Sequence, residues 1–227
     1  MSNRSVLTAI LILAGLATSV ALPAKAADTL SVDYRNAAFR DGEPAIPAVA
    51  KTRIAKALAA APAEIRQALK SGFAILGEAK GPISGGKAEE TAYLLSPKRP
   101  VAADPGPSQR QVIALVSGDK LVGAYLLPET GYARLVGTAP GSPGRALLLD
   151  GTFMNMGQTV TSLDAVTLGP GEATSVRQSV KDVYVDGCDN PAGDRVRKAA
   201  LVTVDPSSGT LSPAWQDLGC PATTPAR

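Results

Sequence analysis

Residues 184–195 read YVDGCDNPAGDR, a short apolar run that breaks into an acidic, glycine-containing turn. Asp186, Asp189, Asn190 and Asp194 offer carboxylate and amide oxygens, the donor set that calcium accepts. Their spacing is not that of an EF-hand loop, and Gly187, Asn190-Pro191 and Gly193 equally mark an exposed turn. Cys188 sits among them. As a nucleophile it would need a base or a cationic setting to lower its pKa. Arg195, Arg197 and Lys198 are near in sequence, but the chain has no histidine. The second cysteine, Cys220, gives a simpler use. In an oxidising compartment two cysteines pair. A Cys188–Cys220 bridge would restrict the unfolded chain by roughly 3 to 4 kcal/mol.

The absence of histidine removes Ser-His-Asp and Cys-His catalysis, the usual base near neutral pH, and the commonest zinc ligand. Carboxylate pairs remain. Asp150, Asp164, Asp186 and Asp194 are the candidates for a hydrolase, which needs two of them within about 10 Å across one cleft.

Other motifs are incomplete. Gly81–Lys87, GPISGGK, fits a phosphate-binding loop, but Ala88 stands where a magnesium-holding Ser or Thr belongs. Ser84–Lys87 and Ser117–Lys120 match S-x-x-K, yet both are broken by glycine and read as hairpin turns. Leu149-Asp150-Gly151-Thr152 inverts the aspartic-protease order, and Asp150 reads as a strand end before an Asp-Gly turn. Met154 and Met156 share a face of an extended segment. Paired thioethers can hold Cu(I), but methionine ordinarily fills cores, and core packing is the expectation here. No catalytic residue, cofactor or metal site is therefore assigned.

The elements that must position these residues follow from patterning. Residues 1–26, MSNRSVLTAILILAGLATSVALPAKA, read as a cleavable signal peptide: Arg4, an apolar run over Val6–Ala17, and Ala24-Lys25-Ala26 at the cleavage site. The run is too short to span a bilayer. Arg4 and Lys25 leave with the leader. The mature chain then holds 21 basic and 20 acidic residues, a charge of +1, which does not make a nucleic-acid footprint. Aromatic residues are 4% of the chain, too few for stacking platforms.

Residues 27–72 form an irregular segment and then two short helices. The first is AVAKTRIAKALAAA, with Val49, Ile54, Ala57, Leu58 and Ala61 at near-helical spacing; the second, AEIRQALK, opens after Pro62. Residues 73–220 alternate short apolar runs with turn signals and read as an antiparallel β-rich body: a sandwich, barrel or partial propeller. Expected strands include 73–76, 91–95, 111–116, 121–127, 132–136, 145–150, 153–156, 164–168, 176–180, 183–185, 199–204 and 211–215. Residues 221–227 form a loose tail. The fold class is thus α+β, mainly β.

VIALVSGDKLVGAYLL followed by GRALLLDGTFMNMGQT resembles blade segments of FG-GAP or VCBS-type propeller proteins, over residues 112–168. The resemblance implies a strand pair leading through an acidic turn to an LLL-type strand. The family's calcium motif, D-x-D-x-D-G, is replaced by TAPGSPG, so the resemblance implies no metal in this blade. The overall expectation is an exported, non-catalytic binding domain, periplasmic or secreted. Its partner would be an envelope protein or other envelope component, with no nucleic acid and no membrane span after cleavage. A calcium-stabilised adhesin-like domain and a carboxylate hydrolase are the alternatives.

Overall fold

The computed structural model describes residues 30–44, 46–98, 110–127, 131–170, 173–191, 193 and 195–222. Residues 1–26, read above as a signal peptide, lie outside the described residues, as do Asp194 and the last five residues. The chain is α+β and mainly β, as patterning implies.

Three layers stack. The first is helical: α2 (Ala48–Ala57), a 3-10 turn at Leu58–Ala60, and α3 (Ala63–Ala68). The second is a four-stranded antiparallel meander of β2 (Phe73–Gly81), β3 (Glu90–Pro97), β4 (Val112–Ser117) and β5 (Lys120–Leu126). The third is a seven-stranded, nearly closed antiparallel sheet. It contains β1 (Ser31–Asp33), β6 (Tyr132–Pro140), β7 (Arg145–Asn155), β8 (Gln158–Leu168), β9 (Thr174–Asp186), β10 (Arg197–Val204) and β11 (Leu211–Asp217).

Continuous apolar runs in the sequence mark strands covered on both faces. VIALV in β4 is one: Val112, Ala114 and Val116 face the helices, while Ile113 and Leu115 face the large sheet. ALLL in β7 is another. Leu147 and Leu149 pack between the sheets, and Ala146 and Leu148 turn into the hollow of the large one. The two sheets meet where β2 runs beside β6. A Cβ on Gly77 would lie 2.6 Å from the Leu135 carbonyl oxygen, so only glycine allows this approach.

Residues 30–41 read as irregular but form β1 and α1 (Ala37–Asp41). They cross the hollow of the large sheet. Asp33 pairs with Leu201 and Ser31 with Thr203. Tyr34 is completely buried, and Phe39 meets its ring edge-on at 5.4 Å.

Four expectations need correction. On α2, Val49 is exposed and Ala50 takes its place in the core. Asp150-Gly151 does not end a strand: β7 passes through it without a break, and Asp150 is fully buried. The two strands expected over 176–185 are one, β9, kinked at Asp182, whose φ is +59°. Met154 and Met156 do not pack in the core, for the reason given next.

Candidate functional site

β7 and β8 form a long ribbon whose inner half is buried on both faces. Beyond Gly151 the ribbon outruns the neighbouring layer, so side chains on both faces meet water. Phe153 is 67% exposed, Met154 75% and Met156 71%. Thr152 and Thr161 stiffen the ribbon through a cross-strand hydroxyl contact of 3.0 Å. Asn155 pairs with Gln158, leaving Met156-Gly157 as a two-residue turn with φ of +45° and +78°. Both positions being left-handed makes the turn a type I′ form, which normally favours Asn-Gly. Methionine at positive φ is uncommon.

The apex rests on the acidic turn that follows β9. A Cβ on Gly157 would lie 2.4 Å from the Asp189 carbonyl oxygen, so the glycine permits a backbone-to-backbone contact. That turn is itself held firmly. Cys188 and Cys220 form a disulfide with Cα atoms 5.4 Å apart, inside the normal range. Arg195 donates to the Cys188 carbonyl at 3.0 Å and the Pro221 carbonyl at 2.8 Å. Gly187 N–H donates to the Val196 carbonyl at 2.8 Å. The cysteines therefore act as a staple beneath an apolar hairpin end.

Of the calcium candidates, Asp186 has its carboxylate engaged within the protein, and Asp194 lies outside the described residues. Asp186 accepts from the Tyr184 hydroxyl at 2.9 Å and the Cys188 amide at 3.2 Å, and pairs with Arg197 at 3.0 Å. Asp189 contributes its carbonyl to the Gly157 contact. Asn190 N–H donates to the Gly187 carbonyl at 3.1 Å. Among the described residues no three acidic or cysteine side chains converge on one point.

Of the carboxylates considered for hydrolysis, the three described ones, Asp150, Asp164 and Asp186, do not share a cleft. Asp150 is cross-strand from Leu163, and Asp164 from Leu149, so they face opposite sides of the sheet. Asp164 accepts from the Tyr132 hydroxyl at 2.9 Å. Asp186 lies two strands and four residues along the ladder from Asp150, on the order of 15 Å by strand spacing and rise.

Asp150 instead anchors residues 34–40. Arg134 donates to it from Nε at 3.1 Å and Nη2 at 2.5 Å, and the Tyr34 hydroxyl donates at 3.2 Å. The same guanidinium bonds the carbonyls of Phe39 and Arg40 and lies 4.6 Å over the Phe39 ring. Burial raises the Asp150 carboxyl above its ordinary range, against the pull of Arg134. Burial likewise raises the Tyr34 phenol, with the Asp150 charge adding to it.

A polar cleft of about 260 Å³ lies between α2 and the four-stranded sheet, lined by Arg53, Glu78, Lys80, Glu89 and Tyr93 among others. Arg53 is paired with Asp119 at 3.2 Å. The glycine-rich loop after β2 is a hairpin connection: Ser84 donates to Glu90 through its amide and its hydroxyl, at 2.7 and 2.5 Å. Ser117 donates to the Glu89 carbonyl at 3.3 Å.

Comparison with known proteins finds no matching family model, curated protein or solved structure. The geometry alone must therefore carry the functional reading. Among the surfaces described, the β7–β8 apex is where three large apolar side chains cluster in water, on a backbone that rests on the disulfide-bearing turn. Sequence reasoning placed Met154 and Met156 on one face but missed their exposure. The signal was present: FMNMG combines large apolar residues with a glycine turn, at the tip of a hairpin.

Proposed function

We propose that this chain is an exported, non-catalytic binding domain of the cell envelope, and that the β7–β8 apex is its contact point. The observation that carries the reading is the exposure of Phe153, Met154 and Met156 above a disulfide-braced turn. Leaving three large apolar side chains in water is unfavourable. Bracing them there is useful when they enter a partner, because a preorganised knob loses little conformational freedom on binding.

The partner proposed is an envelope protein with an apolar pocket. The three side chains expose on the order of 400 Å². A two-fold contact would set this convex tip against an identical convex tip, so a second copy fits poorly. A convex tip that is apolar on both sides suits insertion into a concave site. Export is supported by the leader pattern and by the Cys188–Cys220 bridge, since disulfides persist in oxidising compartments. No helix among the described residues is long and apolar enough to cross a membrane.

The test is site-specific photo-crosslinking in intact cells. A probe replacing Asn155, between the two methionines, should give one discrete protein adduct. A probe replacing Val122, which is exposed on β5, should not. The Phe153→Ser/Met154→Ser/Met156→Ser variant should compete poorly for that adduct. Equal labelling from both positions, or adducts only to lipid or to a second copy, would refute the proposal.

A further inference from the structure

The two methionines at the apex carry a second property. Apart from Met1, they are the only methionines in the sequence. Both are about three-quarters open to solvent. The hairpin end that carries them is fixed in its backbone: Met156 sits at positive φ, and Gly157 lies against the Asp189 carbonyl. Thioethers in this setting are open to two-electron oxidants, and their sulfoxides are polar. Elsewhere the chain offers little to the same reagent, because both cysteines are in the disulfide.

We infer that Met154 and Met156 are a reversible oxidation site that switches the apex from apolar to polar. The inference rests on the reading of the apex as a contact surface. The oxidant class is a hydroperoxide. The sulfur lone pair attacks one peroxide oxygen. An S–O bond forms as the O–O bond breaks, and the proton is carried to the departing oxygen, which leaves as water or an alcohol. Sulfur loses two electrons and the peroxide gains them. A dithiol reductant reverses the step: two thiols become a disulfide and the sulfoxide oxygen leaves as water. Because the apex projects beyond the packed layers, sulfoxide formation alters the contact surface without entering any core cluster. Oxidation thus changes what the protein binds while leaving it folded.

The experiment treats the purified mature protein with hydrogen peroxide and follows intact mass, peptide mass and retention on a phenyl-agarose column. Two oxygens should be added, one each at Met154 and Met156, at rates within about threefold of a methionine in a free peptide. Retention should fall, and the thermal transition should stay in place. A methionine sulfoxide reductase with dithiothreitol-reduced thioredoxin should restore both mass and retention. The Met154→Leu/Met156→Leu variant should keep its retention and lose the response. Oxidation tenfold or more slower than the free peptide, or oxidation without a change in retention, overturns the inference. So does unfolding on oxidation. These readouts need no partner, so they separate from the crosslinking result. A missing adduct with a normal peroxide response removes the contact surface alone.

Discussion

Tyr34 and Asp150 meet by a buried hydrogen bond of 3.2 Å across 116 positions of sequence. With Arg134 they form the joint that fixes the amino-terminal crossing segment to the large sheet. Asp150 is the sole carboxylate in that joint, and it is completely buried. Removing one member of a buried charge pair leaves the other uncompensated. Asp150→Ala should lower the stability to unfolding by about 3 to 5 kcal/mol. Asp150→Asn keeps the shape and one acceptor, and should cost less. Urea titrations of the three proteins provide the comparison; a change below about 1 kcal/mol in the alanine variant would show that the joint is unimportant.

The same joint sets an alkaline limit. Burial holds the Tyr34 phenol above its ordinary value of 10.0, so the folded state keeps the proton that the unfolded chain loses. The unfolded state then binds fewer protons above pH 10, and stability falls as pH rises. The contribution is intact below pH 10 and declines above it by up to about 1.4 kcal/mol per pH unit. Tyr34→Phe should flatten that alkaline limb, although losing the hydrogen bond lowers stability at neutral pH by about 1 to 3 kcal/mol. Melting temperatures from pH 7 to 11 would show it.

Much of the β body was legible because burial on two faces writes itself as unbroken apolar runs, such as VIALV and ALLL. Turn residues between them gave the boundaries. The errors have physical causes. Asp150-Gly151 resembles a turn, yet here glycine serves a close approach: a Cβ would lie 3.1 Å from the Gly131 carbonyl oxygen. Asp182 interrupts the apolar rhythm of β9 because it sits in a left-handed kink, not because the strand ends. β1 has only three residues and takes its stability from pairing with β10, which no local pattern announces. The exposed apex was misread because side-chain type signals burial only when a neighbouring layer extends far enough to provide it.

The disulfide should be more than an ornament of the acidic turn. It closes a loop that includes β10 and β11, and on the chain-entropy model it contributes roughly 3 to 4 kcal/mol. Cys188→Ser/Cys220→Ser should lose about that much in denaturant titration. Because Gly157 leans on Asp189 of the same turn, the apex amides of Asn155–Gln158 should also exchange faster with solvent. Unchanged exchange there would mean that the staple does not brace the hairpin.

The Met156-Gly157 turn offers the sharpest separation of stability from function. Its left-handed first position suits asparagine, whose short polar side chain tolerates that backbone, far better than methionine. Met156→Asn should therefore stabilise the protein, by about 0.5 to 1 kcal/mol. It should at the same time weaken the crosslink formed from position 155 and lower retention on phenyl-agarose. Gly157→Ala is the opposite control. A Cβ there has strained φ and would lie 2.4 Å from the Asp189 carbonyl oxygen, so it should destabilise by more than 1 kcal/mol while leaving both methionines in place. If Met156→Asn stabilises the fold and leaves contact unchanged, methionine at this position has no binding role. If it stabilises the fold and abolishes contact, the chain keeps a poor turn residue because that residue touches the partner.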